Sequence, residues 1–482
     1  MASKPHQLHI YFFPMMAHGH MIPMVDMAKL FSGHGVKATI ITTPLNAPLI
    51  SKTIDMDTEL GSNISIRVIK FSSLEVGLPE GCENLSSVTS PEMIVKFYKA
   101  TYMLQEPFEQ LLREDSPDCL VADMYFPWAT ELASKLGIPK LVFHGTGVFP
   151  LCVHHSLVHH KPFKNIESDS EPVIVPGLPD TIKMTRRELS DHNREGETQN
   201  YIATLFQEIM KAELTSYGVL VNSFHELEPA YSEYYREVVG RKAWHIGPVS
   251  LFNRDNELKG KRGNKSSIDE EECLNWLDSK KPKSVLYVCF GSLADFSAAQ
   301  LLEIAKGLEA SEQQFIWVVR KEKEEKEEWL PEGFEKRIEG KGLIIRGWAP
   351  QVLILENEAV GGFVTHCGWN SLLEGVTAGV PMVTWPLFVD QFANEKFVTD
   401  VLRIGVRVGA QGWSRWAEDN KGSVRKEDIE MAVTQLMVSA EAEIMRNRAR
   451  ALKEKARRAV EDGGSSYSDL NALLEELRSI RS

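Results

Sequence analysis

Gly361-Gly362-Phe363-Val364-Thr365-His366-Cys367-Gly368-Trp369-Asn370-Ser371 reads as an apolar strand, a tight turn and the opening of a helix. Asn370 and Ser371 suit the first turn of a helix running on to Ala378. A helix start presents N–H groups and the positive end of its dipole, a setting made for phosphate. His366, where the strand ends against that turn, adds a ring N–H donor whether neutral or charged. Phe290-Gly291-Ser292-Leu293 ends another strand of the same half in the same way. One strand–glycine–helix turn is an ordinary structural feature; two in one domain, with tryptophans at their flanks, point to a phosphate-bearing ligand.

Outward from this box the same grammar repeats. Ser284–Phe290, Gln314–Val319, Leu343–Ile345, Gly361–Val364 and Met382–Thr384 are short apolar strands, with a helix over Ser297–Ala310 and further helical segments between the later strands. The first half opens on Leu8–Phe13, stopped by Pro14, then an amphipathic stretch from Met21 to Phe31 and a β-branched strand over Lys37–Thr42. The unit recurs as strand Cys119–Ala122, helix Pro127–Leu136 and strand Leu141–Phe143. Continuously apolar strands alternating with helices imply parallel sheets covered on both faces. The expected fold class is α/β, with two doubly wound domains and a ligand cleft between them at the carboxyl ends of the strands. Asn253–Glu272, rich in charge, Asn and Gly, reads as a solvated linker, and the run Lys321–Glu328 as an exposed charged face.

Bulk properties set the frame. At 482 residues the chain calls for two or three domains. With 43% hydrophobic and 25% charged residues it is of ordinary globular composition, and a net charge of −13 argues against nucleic acid as a partner. Six cysteines (Cys82, Cys119, Cys152, Cys273, Cys289, Cys367) form no C-x-x-C pair and several sit in apolar runs, as reduced thiols do. No signal peptide and no membrane span is expected. The reading is a soluble cytoplasmic protein in which nothing requires more than a monomer.

The stretch Trp348–Gln391 resembles the signature box of the plant secondary-product UDP-glycosyltransferases, inverting family 1 enzymes of the GT-B fold. The motif residues are Trp348-Ala349-Pro350-Gln351, His366 to Ser371, Glu374 and Asp390-Gln391. Further likeness covers Phe12-Phe13-Pro14, Gly19-His20-Met21-Ile22-Pro23, Val221-Asn222-Ser223-Phe224, Trp244-His245-Ile246-Gly247-Pro248 and Val288 to Ser292. The similarity is to the subgroup acting on flavonoids, other phenolics and triterpenoids. It implies an acceptor-binding domain over 1–252, with a last helix over 465–482 packing back on it, a linker over 253–272 and a UDP-sugar-binding domain over 273–464. It also implies roles: Trp348 stacks on uracil, the Ala349 backbone reads the base edge, and Gln351 and Glu374 hold the ribose hydroxyls. Ser292, His366, Asn370 and Ser371 hold the diphosphate; Trp369, Asp390 and Gln391 grip the sugar; Gly19 is counted with the donor-binding residues. In this family Gln at the position of Gln391 accompanies glucose donors more often than galactose. The implied donor is therefore UDP-glucose, a co-substrate, with no resident cofactor and no metal.

Transfer to a hydroxyl with inversion needs a base on the acceptor oxygen, and imidazole suits that work. His20 lies just beyond the first strand and Asp123 just beyond the strand at Cys119, both at the carboxyl-end rim. A carboxylate there can fix the tautomer of His20 and stabilise the imidazolium. Equally, either residue could simply cap the helix that follows it. The resemblance favours catalysis, since the family's His and Asp fall on these two positions rather than on His18. His18 and His20 lack a third ligand for a metal. Phe126, Phe149, Phe206 and Phe388 are candidates for an apolar acceptor pocket beside a plain packing role, and His154, His155, His159 and His160 read as a helical surface.

Three rivals remain in view. A dinucleotide-dependent oxidoreductase would need Gly-x-Gly-x-x-Gly after a strand, which neither Pro14–Gly19 nor Gly291–Asp295 supplies. A UDP-sugar-binding protein without transfer activity would have little use for the His20–Asp123 pair. A non-hydrolysing UDP-sugar epimerase would need no apolar acceptor pocket.

Overall fold

Every residue of the first strand, β1 (His9–Phe13), is buried, which only a sheet covered on both faces allows. In the computed structural model, which describes residues 7–59, 61–189, 200–253, 259–260, 262–320, 329–413 and 423–481, β1 is followed by β2 (Lys37–Thr42), β3 (Ile64–Val68), β4 (Cys119–Asp123) and β5 (Lys140–Phe143). After them come the short antiparallel pair β6 (Val173–Ile174) and β7 (Lys183–Met184), then β8 (Gly218–Val221) and β9 (Ala243–His245). The second half contributes β10 (Val285–Cys289), β11 (Gln314–Val319), β12 (Gly342–Arg346), β13 (Val360–Thr365), β14 (Met382–Thr384) and β15 (Gly405–Arg407).

The chain divides into two compact units, residues 1–147, 197–254 and 458–482, and residues 148–196 and 255–457. The first holds a seven-stranded sheet in the order β3-β2-β1-β4-β5-β8-β9, the second a six-stranded sheet in the order β12-β11-β10-β13-β14-β15. All neighbouring strands within each are parallel. In each, the chain runs outward one way from a central strand and then returns to build outward on its other side. The reversal lies between β1 and β4 in the first unit and between β10 and β13 in the second, and it is at such reversals that doubly wound sheets bind ligands.

The cores explain why these segments fold so. Ile10 and Phe12 of β1 and Val121 of β4 bury against Met24, Met27, Ala28 and Phe31 of the helix His18–Gly33. Leu470, Leu473, Leu474 and Leu477 of the helix Ser465–Arg481 belong to the same core. In the second unit Leu286, Trp317, Val364 and Val383 bury against Ile304 and Leu308 and against Val433 and Leu436. Each Val, Leu, Ile, Met or Phe side chain among these contributes about 1.5–3 kcal/mol when fully buried. The described cysteines are all unpaired in disulfide terms, five buried and Cys289 half-buried.

Asn253 is buried and donates to Asp26 at 2.8 Å, so the stretch read as a solvated linker is tied down at its start. Residues 254–258 and 261 of that stretch, and the whole charge run 321–328, lie outside the described residues. Among the described residues no helix is long and apolar enough to cross a membrane.

Candidate active site

In the first unit, β1 delivers the chain into the turn Pro14–Ala17, and the helix begins at His18 with Ala17 as its N-cap. His20 therefore sits inside the first turn of the helix rather than at its N-cap. Its ring reaches the last residue of β4: Nδ1 of His20 lies 2.7 Å from Oδ2 of Asp123. The parallel pairing of β1 with β4 brings together two residues 103 positions apart in sequence. The Asp123 side chain is wholly buried, whereas that of His20 is 21% exposed. The other carboxylate oxygen, Oδ1, accepts from the N–H of Tyr125 at 3.2 Å, a local turn rather than a cap of the helix Trp128–Lys135, whose N-cap is Pro127. His18 is buried in the same turn, and it is His20 that meets the carboxylate.

The ring of His20 is held by its surroundings. Tyr125 and Phe143 approach it edge-on, with centroids at 5.7 and 6.3 Å. Gly145, with φ +72°, lies so close that a Cβ would stand 2.8 Å from Cε1 of His20, so no larger residue fits without moving the ring. Sequence reasoning passed over Gly145; its only signal is a glycine two residues past a strand end. With Nδ1–H donating to Asp123, the neutral ring carries its lone pair on Nε2, the arrangement of a base ready to accept a proton.

Of the aromatic candidates, Phe126 is core, stacked on Phe13 with centroids 4.0 Å apart, and Phe149 is buried against Phe397. Phe388 is buried in the second core. Half-buried Phe206 approaches Tyr125 at 6.5 Å.

In the second unit, His366 stands at the carboxyl end of β13 and Gly291-Ser292 just beyond β10, on the two sides of the strand-order reversal. The imidazole lies between two glycines: a Cβ on Gly291 would come within 2.6 Å of Cε1, and one on Gly368 within 2.5 Å of Nε2. Gly368 is the N-cap of the helix Trp369–Ala378. Nδ1 of His366 is buried and has no hydrogen-bond partner among the described residues. Desolvation pushes the ring down to about 4 from its ordinary value, so it is neutral at physiological pH. Binding of a diphosphate diester at this turn, a ligand that stays ionised throughout, is therefore expected to show no step near the ordinary imidazole value of about 6.5. A step there that vanishes in His366→Asn would show that the ring charges in the site.

Around this turn the remaining residues form two linked groups. Gln351 donates through Nε2 to Glu374 at 2.7 Å and to Ser371 Oγ at 3.2 Å, and receives the Tyr287 hydroxyl at 3.3 Å. Asn394 donates to the carbonyl of Cys367 and to Asp390, each at 2.9 Å, tying the His366 turn to the Asp390 turn. Oε1 of Gln391 accepts the N–H groups of Leu387 and Phe388 at 2.9 and 3.0 Å, which fixes which end of the amide is the NH₂. Between them Val389 takes φ +59°, a conformation a β-branched residue adopts only under constraint. Trp369, the first residue of the helix Trp369–Ala378, is buried with its indole near Phe397. Ala349 is buried; Trp348, Asn370 and Ser292 are half-buried, and Gly19 is exposed.

Comparison with known proteins gives this geometry its context. The family described as UDP-glucoronosyl and UDP-glucosyl transferase matches residues 103–408. The chain is 58% identical over 471 residues to the scopoletin glucosyltransferase of Nicotiana tabacum, covering 98% of each. It is 57% identical over 484 residues to UDP-glucose flavonoid 3-O-glucosyltransferase 7 of Fragaria ananassa, covering 98% of this chain and 97% of the relative. The crystal structure of Glycyrrhiza uralensis UGT73P12, complexed with glycyrrhetinic acid 3-O-monoglucuronide, aligns with a TM-score of 0.92 at 43% identity, covering 99% of this chain and 96% of that one. With the family matched over more than half its length and relatives aligned end to end, this GT-B chain belongs to the UDP-glycosyltransferase family, among the plant secondary-product enzymes.

Proposed function

We propose that this enzyme transfers glucose from UDP-glucose to a hydroxyl of a small apolar metabolite, with inversion, using His20 as general base and Asp123 to orient it. The observation that carries this reading is the 2.7 Å contact between Nδ1 of His20 and Oδ2 of Asp123 at the strand-order reversal of the first sheet. Nε2 takes the proton of the acceptor hydroxyl as its oxygen bonds to the anomeric carbon. The bond from that carbon to UDP breaks on the opposite face, and the diphosphate leaves with the electron pair. The buried Asp123 stabilises the imidazolium that forms.

Trp348 takes the uracil in this reading, Glu374 and Gln351 the ribose, and Ser292, His366, Asn370 and Ser371 the diphosphate. Asp390, the NH₂ of Gln391 and the Trp369 backbone take the glucose. A neutral imidazole and a helix start are aimed where the leaving charge develops, at no cost of reorganisation. The names of relatives carry scopoletin and a flavonoid, which favours phenolic acceptors, and the solved relative's bound triterpenoid glucuronide keeps triterpenoids in the panel. Free thiols throughout fit a reducing compartment, and the cytoplasm is the one proposed.

The test is an acceptor panel with UDP-glucose, in which flavonoids, other phenolics and triterpene alcohols are scored side by side by mass. Phenolics are expected to gain one hexosyl unit. Hydrolysis of the donor with no glycosylated product from any acceptor would overturn the reading.

A further inference from the structure

The segment 262–268 lies against the residues assigned to the nucleoside. Ser267 grips the peptide of Trp348 from both sides, its N–H donating to the Trp348 carbonyl at 2.8 Å and its Oγ accepting the Trp348 N–H at 2.9 Å. Gly263, with φ +93°, packs against the indole so closely that a Cβ would stand 2.3 Å from Cζ2. Arg262 forms an ion pair through its guanidinium with Oε1 of Glu374, the two side chains being 10% and 9% exposed. The other oxygen, Oε2, is the one that Gln351 bonds. Lys259 bonds Glu356 at 2.7 Å before the segment, and Asp269 caps the helix Glu270–Asp278 after it.

A nearly buried carboxylate needs a partner to stay in place, and each of its oxygens can accept more than one hydrogen bond. With Arg262 on one oxygen and Gln351 on the other, the plane of the Glu374 carboxylate is fixed, and each oxygen keeps a further position for one hydroxyl of a vicinal diol. We propose that Arg262 is a positioning residue for the donor: it sets the Glu374 carboxylate for the ribose, while Gly263 and Ser267 set the indole of Trp348 for the base. This rests on the reading of Trp348 and Glu374 as the nucleoside site. The segment read from sequence as a solvated connection is, on this view, a wall of the donor site.

The experiment compares steady-state kinetics of the full chain with Arg262→Met, Arg262→Lys, Glu374→Gln and the Arg262→Met/Glu374→Gln double variant, with Trp348→Ala as a reference. Arg262→Met is expected to raise KM for UDP-glucose about tenfold with kcat within about twofold, since it removes ground-state and transition-state binding alike. Arg262→Lys should recover most of that loss by restoring the charge, and the double variant should be no worse than Glu374→Gln alone, since both act through one carboxylate. An unchanged KM in Arg262→Met, a lowered KM, or additive losses in the double variant would each overturn the inference. If Trp348→Ala leaves KM for UDP-glucose untouched, the reading of the nucleoside site fails instead. If the methionine variant does not fold, Arg262→Gln, which keeps a hydrogen-bond donor but loses the charge, takes its place: a raised KM there, with kcat held, supports the role, and a wild-type KM overturns it.

Discussion

His20→Ala is expected to bind UDP as wild type does, within about twofold, while glucosylation falls by about 10²–10⁴-fold, the range that a positioned general base supplies. The expectation follows from where the ring is held. Its Nδ1 is committed to a wholly buried carboxylate, and the neutral tautomer that this selects keeps the lone pair on Nε2. Deleting the ring removes proton acceptance and leaves the second sheet, with His366 and the helix Trp369–Ala378, chemically untouched. Asp123→Asn separates the two members of the pair. Its amide is close to isosteric, yet it neither favours the productive tautomer nor compensates an imidazolium, so turnover should fall nearly as far while the fold survives. Turnover by mass-detected product and UDP affinity by calorimetry are the two measurements. A parallel collapse of UDP binding in His20→Ala would move this residue from catalysis to the donor site or to the fold.

How much of this was legible beforehand depends on the kind of signal. Buried parallel strands announce themselves as unbroken apolar runs, and Lys37–Thr42, Gln314–Val319 and Met382–Thr384 are strands over those same residues in the structure. Four of the parallel strands escaped that reading. β3 shows one buried residue in five, and β9 and β15 are three residues long with a polar or charged residue among them, so they are fixed by their neighbours in the sheet rather than by their own pattern. β8, the buried apolar run Gly218–Val221, carries the signal and was passed over. Positions at strand ends could be read one at a time, but that β1 lies beside β4, and so His20 beside Asp123, is a matter of strand order that local pattern does not carry. The family likeness supplied that pairing in advance. Contacts made by the absence of a side chain were beyond reach: Gly145 under the His20 ring, and Gly291 and Gly368 around His366, read only as turn residues until the neighbouring rings are in place. Phe126 shows the opposite case: a candidate for pocket lining beside a plain packing role, it takes the packing role, stacked on Phe13. Arg262 was hidden by composition, since a cation in a charged, glycine-bearing stretch looks like any solvated one.

Trp348→Ala should weaken UDP about 5- to 150-fold, the equivalent of the roughly 1–3 kcal/mol that one base gains by stacking on an aromatic side chain. The indole is half-buried at the start of the donor box, and its peptide is fixed by two hydrogen bonds to Ser267. Those bonds are made by backbone atoms of residue 348 and persist when the side chain is cut away, so the loss reports the ring rather than a loosened loop. Truncation does open space where Gly263 meets the ring edge, and thermal unfolding measured alongside shows how far that propagates. Trp348→Phe should retain most of the affinity, because it keeps a π face on the same backbone. The sharper discrimination uses ligand rather than protein. Inorganic pyrophosphate has no base to stack, so its binding should be the same in Trp348→Ala and wild type, while UDP separates them. Equal weakening of both ligands would mean that the indole supports the diphosphate pocket around His366 rather than the uracil, and retained UDP affinity would remove stacking from the donor site altogether.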